Sequence, residues 1–280
     1  MAIIAILIGG RMRLARFARE FEELGIVSKV VCLHTSLRSF KTKVSPSDVI
    51  ESIIELDNTL LVPTMSWSIY SAPKPTGEAP DELNAEQDGS IPNLMPEVGF
   101  DIESNEVGVA MGTLPRTLLE NYPRSRGNHP LASFSALGRQ ANSLVGNQTP
   151  NDPLRPISNM LTEDSVVVLM GTDLTSATLL HLAETKAGLP GLKRWAKLST
   201  GQVISCDVTG CSRGFEKLEQ PLQEIEQRVE VSGSKWRIYP AQEMLELATN
   251  FFVKDPLGGL CEDSKCMRCE TKRKYIGATS

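Results

Sequence analysis

The chain has 280 residues, with 29 lysines and arginines against 34 acidic residues and a formal net charge of −5. Hydrophobic residues at 41% and charged residues at 22% describe a globular chain that buries its own core, which excludes disorder as the main state and excludes a fibrous repeat. The acidic balance lacks the cationic excess that neutralises a phosphate backbone, and no run approaches the ~20 apolar residues that cross a bilayer, so neither nucleic acid nor a membrane is an expected partner.

In chain order, the apolar run 2–8 is followed by Gly9-Gly10 and then by Arg11, Arg13 and Arg16, the reverse of a secretory signal. It reads as a first strand or turn of a cytosolic protein. Leu14, Phe17, Phe21 and Leu24 recur at helical spacing over 13–24, with Gly25 as the stop. The β-branched run 27–33 suits a buried strand. A helix starts near Ser47 and carries Val49, Ile50, Ile53 and Ile54, and residues 59–63 form another short strand. This strand–helix–strand order is the mark of a βαβ unit in a mostly parallel sheet. Between 72 and 100, prolines and glycines (among them Pro73, Pro75, Gly77, Pro80, Gly89, Pro92 and Pro96) break any periodicity; a loop of this length directly after a strand reads as a substrate lid or as a solvated excursion. The run 166–170 is the clearest buried strand and ends in Gly171-Thr172-Asp173 before a helix over 176–187. Short strands (203–206, 236–239) then alternate with helices (215–229, 241–252). The expected architecture is a three-layer α/β/α fold with a mostly parallel central sheet, built as a single domain over 1–280 with a cysteine-rich tail at 255–280.

Six cysteines in a chain with no sign of export read as reduced thiols. Cys261, Cys266 and Cys269 supply three thiolates within nine residues, and tetrahedral structural zinc wants a fourth ligand from a separate segment. Cys211, in a Gly-Cys-Ser turn, is the first choice and Cys206 the substitute. Free thiols in a frayed tail are the alternative.

Four segments, in order, resemble the aminoglycoside 3-N-acetyltransferase family, whose fold differs from that of the GNAT enzymes. They are His34-Thr35-Ser36-Leu37-Arg38-Ser39; Arg126-Gly127-Asn128-His129-Pro130 with Ser133-Phe134-Ser135; Val168-Leu169-Met170-Gly171 leading to His181-Leu182-Ala183-Glu184; and Gly210-Cys211-Ser212-Arg213-Gly214. The resemblance implies acetyl-CoA or another acyl-CoA as co-substrate. It also implies a small-molecule amine of the aminoglycoside type as acceptor, a role in antibiotic resistance or biosynthesis, and a monomer or homodimer. It points to Ser36, Leu37, Arg38, Ser39, His129 and Ser133 as CoA-binding residues. By an ungapped count the family's general base falls at Asn151, which accepts no proton at neutral pH. A carboxylate is therefore expected to do the proton work, Asp207 first and Asp152 second, with His129 as competitor. His181, with Glu184 three residues on, reads first as a helix pin and second as a catalytic pair. A homologue that binds a ligand or partner without transferring anything is the alternative function.

Overall fold

A computed structural model describes residues 15–77 and 94–279. The initial run 2–8 and the middle of the expected lid, residues 78–93, lie outside the described residues. In chain order the helices are α1 (Ala18–Glu23), α2 (Pro46–Glu55), α3 (Trp67–Tyr70), α4 (Thr113–Asn121), α5 (Ala141–Val145), α6 (Arg155–Met160), α7 (Leu179–Lys186), α8 (Glu219–Leu222), α9 (Ala241–Lys254) and α10 (Met267–Thr279). The strands are β1 (Val30–Thr35), β2 (Thr59–Pro63), β3 (Ser125–Arg126), β4 (Phe134–Leu137), β5 (Ser165–Met170), β6 (Leu192–Lys197), β7 (Val203–Val208), β8 (Gln227–Val231) and β9 (Ser234–Pro240).

Seven strands form one sheet in the order β3-β4-β2-β1-β5-β9-β8. β1 pairs parallel with β2 and with β5, and the antiparallel partners outside them leave five of the seven strands pointing one way. The period-2 alternation of strand side chains divides the core cleanly. Cys32, Leu61, Phe134, Val167, Leu169 and Tyr239 face one core, which α5, α6, α7 and α9 cover. Val31, Leu33, Leu60, Val62, Val168 and Trp236 face the other, covered by α1, α2 and α4. Both faces are roofed, so the architecture is the expected three-layer α/β/α. β6 and β7 form a separate hairpin over a small third core that includes Tyr70, Phe100, Leu131 and Cys206.

Two elements differ from expectation. The helix expected to start near Ser47 is capped two residues earlier, by Ser45: Pro46 takes the first helical position and Ser45 and Asp48 form a reciprocal capping box. Residues 215–229 do not form one helix. Short helical turns over Phe215–Leu218, Glu219–Leu222 and Gln223–Ile225 give way to edge strand β8, which pairs with β9 from Gln227 onward. Among the described residues, no helix is long and apolar enough to cross a membrane.

Candidate active site

The parallel strands β1, β2 and β5 end together, and their carboxyl ends open into a cleft of about 330 Å³ whose walls include His34, Thr35, Pro63 and Thr172. A second cleft of about 340 Å³ lies between the loop at Asn151-Asp152, the hairpin residues Lys193 and Asp207, and α7. The two share a wall made of His181, Thr209 and Gly210. Hydroxyl groups (Thr35, Thr172, Thr175, Ser176) and Arg268 mark the first cleft, whereas Asp152 and Asp207 mark the second.

His181 sits on α7 and its Nδ1 lies 2.7 Å from Glu184 Oε2, the pairing that i, i+3 spacing allows. Lys272 of α10 donates from Nζ to the other oxygen, Oε1, at 2.7 Å. All three side chains are buried. Burial pushes the Glu184 carboxyl up, but Lys272 and His181 outweigh it and hold the group below its ordinary value. A carboxylate here accepts a hydrogen bond from Nδ1–H, which leaves the Nε2 lone pair as the basic end of the ring. The Phe215 ring, 4.7 Å away between centroids, fixes the imidazole from the side.

The carboxylates expected as bases line the second cleft, each within an ion pair. Asp207 Oδ1 accepts from Lys193 Nζ at 2.7 Å, and Asp152 Oδ2 meets Arg155 at 2.6 Å. Asn151 is exposed and lines the same cleft. His129 is fully buried, with Nδ1 accepting from the Leu131 and Ala132 N–H groups at 3.1 and 2.9 Å and Nε2 donating to Asp207 O at 2.8 Å. Burial lowers its pKa to about 4. Every polar atom of that ring is engaged inside the protein, and it lines neither cleft.

Ser133 is likewise internal: its hydroxyl donates to Thr64 O at 2.9 Å and receives Arg126 Nε at 3.1 Å. Arg126 spends its remaining donors on the carbonyls of Thr64, Ser104 and Glu106. The turn after β1 bends away from the cleft as well. Ser39 bonds Ser36 O and Ser234 Oγ, Leu37 packs under the sheet, Arg38 is exposed, and the cleft wall is reached by His34 and Thr35 at the end of β1. The His181–Glu184 spacing is visible in the sequence, but its third member is not. Lys272 is one of several basic residues in α10 and lies 88 positions from Glu184, so no local pattern singles it out.

Cys211, Cys261, Cys266 and Cys269 are all buried, and their sulfur atoms lie within 4.8 Å of one another. Cys206 stays behind in β7, inside the third core.

The family model for aminoglycoside 3-N-acetyltransferases matches residues 32–253. The chain belongs to this family. Aminoglycoside N(3)-acetyltransferase VIII of Streptomyces fradiae is 28% identical over 65% of this chain and 64% of its own, so the matched chain spans just under two thirds of that relative. The SPbeta prophage-derived aminoglycoside N(3')-acetyltransferase-like protein YokD of Bacillus subtilis is 26% identical over 80% of this chain and 86% of its own. Among solved structures, a histidine-to-alanine variant of aminoglycoside acetyltransferase AAC(3)-IVa in complex with a gentamicin superposes with a TM-score of 0.71 at 23% identity, covering 96% of this chain and 99% of that one. The YokD crystal structure gives 0.70 at 21% identity, over 89% and 96%. At such identities the superpositions speak for the fold.

Proposed function

We propose that this member of the aminoglycoside 3-N-acetyltransferase family transfers the acetyl group of acetyl-CoA to an amine of an aminoglycoside, with His181 as general base. The observation that carries the reading is the His181–Glu184 pair standing where two clefts meet. The names of the relatives support the acceptor class, and the family supplies the donor. Acetyl-CoA enters the first cleft, where hydroxyls and Arg268 offer donors to an amide chain and to phosphate. The acceptor takes the second, where Asp152 and Asp207 attract ammonium groups. These two carboxylates are thus assigned to binding rather than to proton abstraction.

An acceptor amine of pKa roughly 8–10 sheds its first proton to solvent before it can react. Its nitrogen then attacks the thioester carbonyl while Nε2 of His181 takes the second proton. The C–N bond forms and the C–S bond breaks. The departing thiolate recovers that proton from the imidazolium, giving the amide and free CoA. Glu184 holds the tautomer and stabilises the imidazolium. Replacing His181 by alanine is expected to cost ~10²–10⁴ in kcat, read as thiol release from acetyl-CoA with a panel of aminoglycosides. A variant turning over at close to the wild-type rate would remove His181 from this role.

We also infer that Cys211, Cys261, Cys266 and Cys269 bind one zinc ion. Zinc–sulfur bonds of about 2.3 Å place four tetrahedral sulfurs within the observed cluster spacing. Four cysteines leave no position for water, so the ion would supply structure and not chemistry. Metal analysis of chelator-free protein is expected to give one zinc per chain, and well under one would refute it.

A further inference from the structure

We infer that Lys272 is a positioning residue that keeps the His181–Glu184 pair in its working proton state, and that the four-cysteine centre serves to hold Lys272 there. This rests on the acyl-transfer reading above. Lys272 is 2% exposed, and a buried ammonium is tolerated only when paired. Among the described residues its carboxylate partner is Glu184.

Both cysteine segments border this lysine. On α10 it follows Cys269 by three residues, so ligand and lysine share one face of the helix. From the other segment, Gly210 immediately precedes Cys211, and a Cβ on Gly210 would stand 2.8 Å from Lys272 Cε and 2.9 Å from Nζ. The glycine leaves the passage through which the lysine reaches Glu184. α10 itself is a poor candidate for packing by burial alone. Among its described side chains, Ile276 alone packs against the main core and Cys269 alone joins the cysteine cluster, while Arg268, Lys272, Arg273 and Lys274 make it strongly cationic. Ligation of Cys266 and Cys269 supplies the attachment that an apolar face would otherwise give.

The chemistry follows from the two Glu184 oxygens, each of which has one partner. Without the ammonium, the buried carboxyl favours its neutral form. A neutral Glu184 donates to Nδ1 and leaves the hydrogen on Nε2, where a base needs a lone pair. The pair then keeps its proton to higher pH. The other charged or titratable groups facing His181 are His34 and Arg268 across the first cleft, and Asp152, Asp207 and Lys193 across the second. None of these changes when Lys272 is replaced.

The test compares wild type with Lys272→Met, Lys272→Arg, Gly210→Ala and Cys266→Ser. Three quantities are read: zinc content, the pH profile of kcat, and the titration of the His181 ring signals in NMR spectra, which needs no turnover. Lys272→Met is expected to retain zinc, to lose at least about tenfold in kcat at pH 7 with both KM values nearly unchanged, and to move the ring titration and the acidic limb up by about one pH unit. Lys272→Arg should restore both. Gly210→Ala, which displaces the lysine without removing it, should move them in the same direction. Cys266→Ser should lose zinc and show the same upward movement. An unmoved ring titration in Lys272→Met and Gly210→Ala overturns the role of the lysine. Loss of zinc in Cys266→Ser with the titration unmoved overturns the anchoring role. Wild-type protein that releases no CoA thiol with any aminoglycoside would instead defeat the acyl-transfer reading, leaving the NMR comparison intact.

Discussion

His34 and His129 are imidazoles that burial keeps neutral, each with its pKa lowered to about 4. In the unfolded chain such a ring takes its proton near pH 6.5. Between those values the unfolded state binds more protons, so stability is highest above about pH 6.5 and falls toward pH 4, by up to about 1.4 kcal/mol per pH unit for each ring. Urea midpoints should therefore drop between pH 7 and pH 5, and a midpoint insensitive to pH in this window would contradict the assignment. Replacing His129 by alanine removes one donor and one double acceptor from a site with no water access, at a cost of about 2–4 kcal/mol in stability. Below its melting temperature that variant should keep kcat within a few-fold of wild type, the opposite of His181→Ala. Sequence alone ranks these rings the other way, because a His before proline in a polar segment looks functional. What decides the matter is the chain's return at Asp207, 78 residues on, to cap the ring.

Local signals are strong where an element carries its own punctuation. α2 is legible to within two residues from its polar start and the helical spacing of Val49, Ile50 and Ile53, and β2 and β5 from short apolar runs. They fail where pairing overrides propensity. Residues 227–231 become strand β8 because β9 offers an edge, while β6 alternates an inward set (Leu192, Arg194, Ala196) with the half-buried Lys193, Trp195 and Lys197. The cysteine centre is legible in outline, since three ligands crowd one segment and Cys211 lies in a tight turn. Lys272 is not, because its role depends on tertiary distance. The stems of the 72–100 segment are also tertiary devices. Ala72 N donates to Trp195 O and Phe100 N to Lys197 O, so both ends are stitched to β6. Gly99 makes this possible, since a Cβ there would collide with the Leu198 backbone. Gly99→Ala is expected to lower Tm by about 3–8 °C and to speed proteolysis within the segment. An unchanged Tm would mean that the stem is not held by this contact.

Across the molecule, a net charge of −5 and the carboxylates Asp152 and Asp207 should draw a polycationic acceptor toward the second cleft. Salt screens such attraction over about 8–10 Å at physiological strength. Raising ionic strength should therefore raise KM for the aminoglycoside several-fold. The Asp152→Asn, Asp207→Asn double variant should show a higher KM at low salt and little further response; equal salt sensitivity in both proteins would refute the steering. The two-sided placement of His181 also bears on the order of events. The two clefts share a wall only at His181, Thr209 and Gly210, so with donor and acceptor assigned as proposed above, neither molecule has to vacate the protein before the other arrives. Acetyl need never rest on the protein. Initial-rate plots against the two substrates should accordingly give families of intersecting lines, and CoA should be free to depart while the acetylated product is still bound.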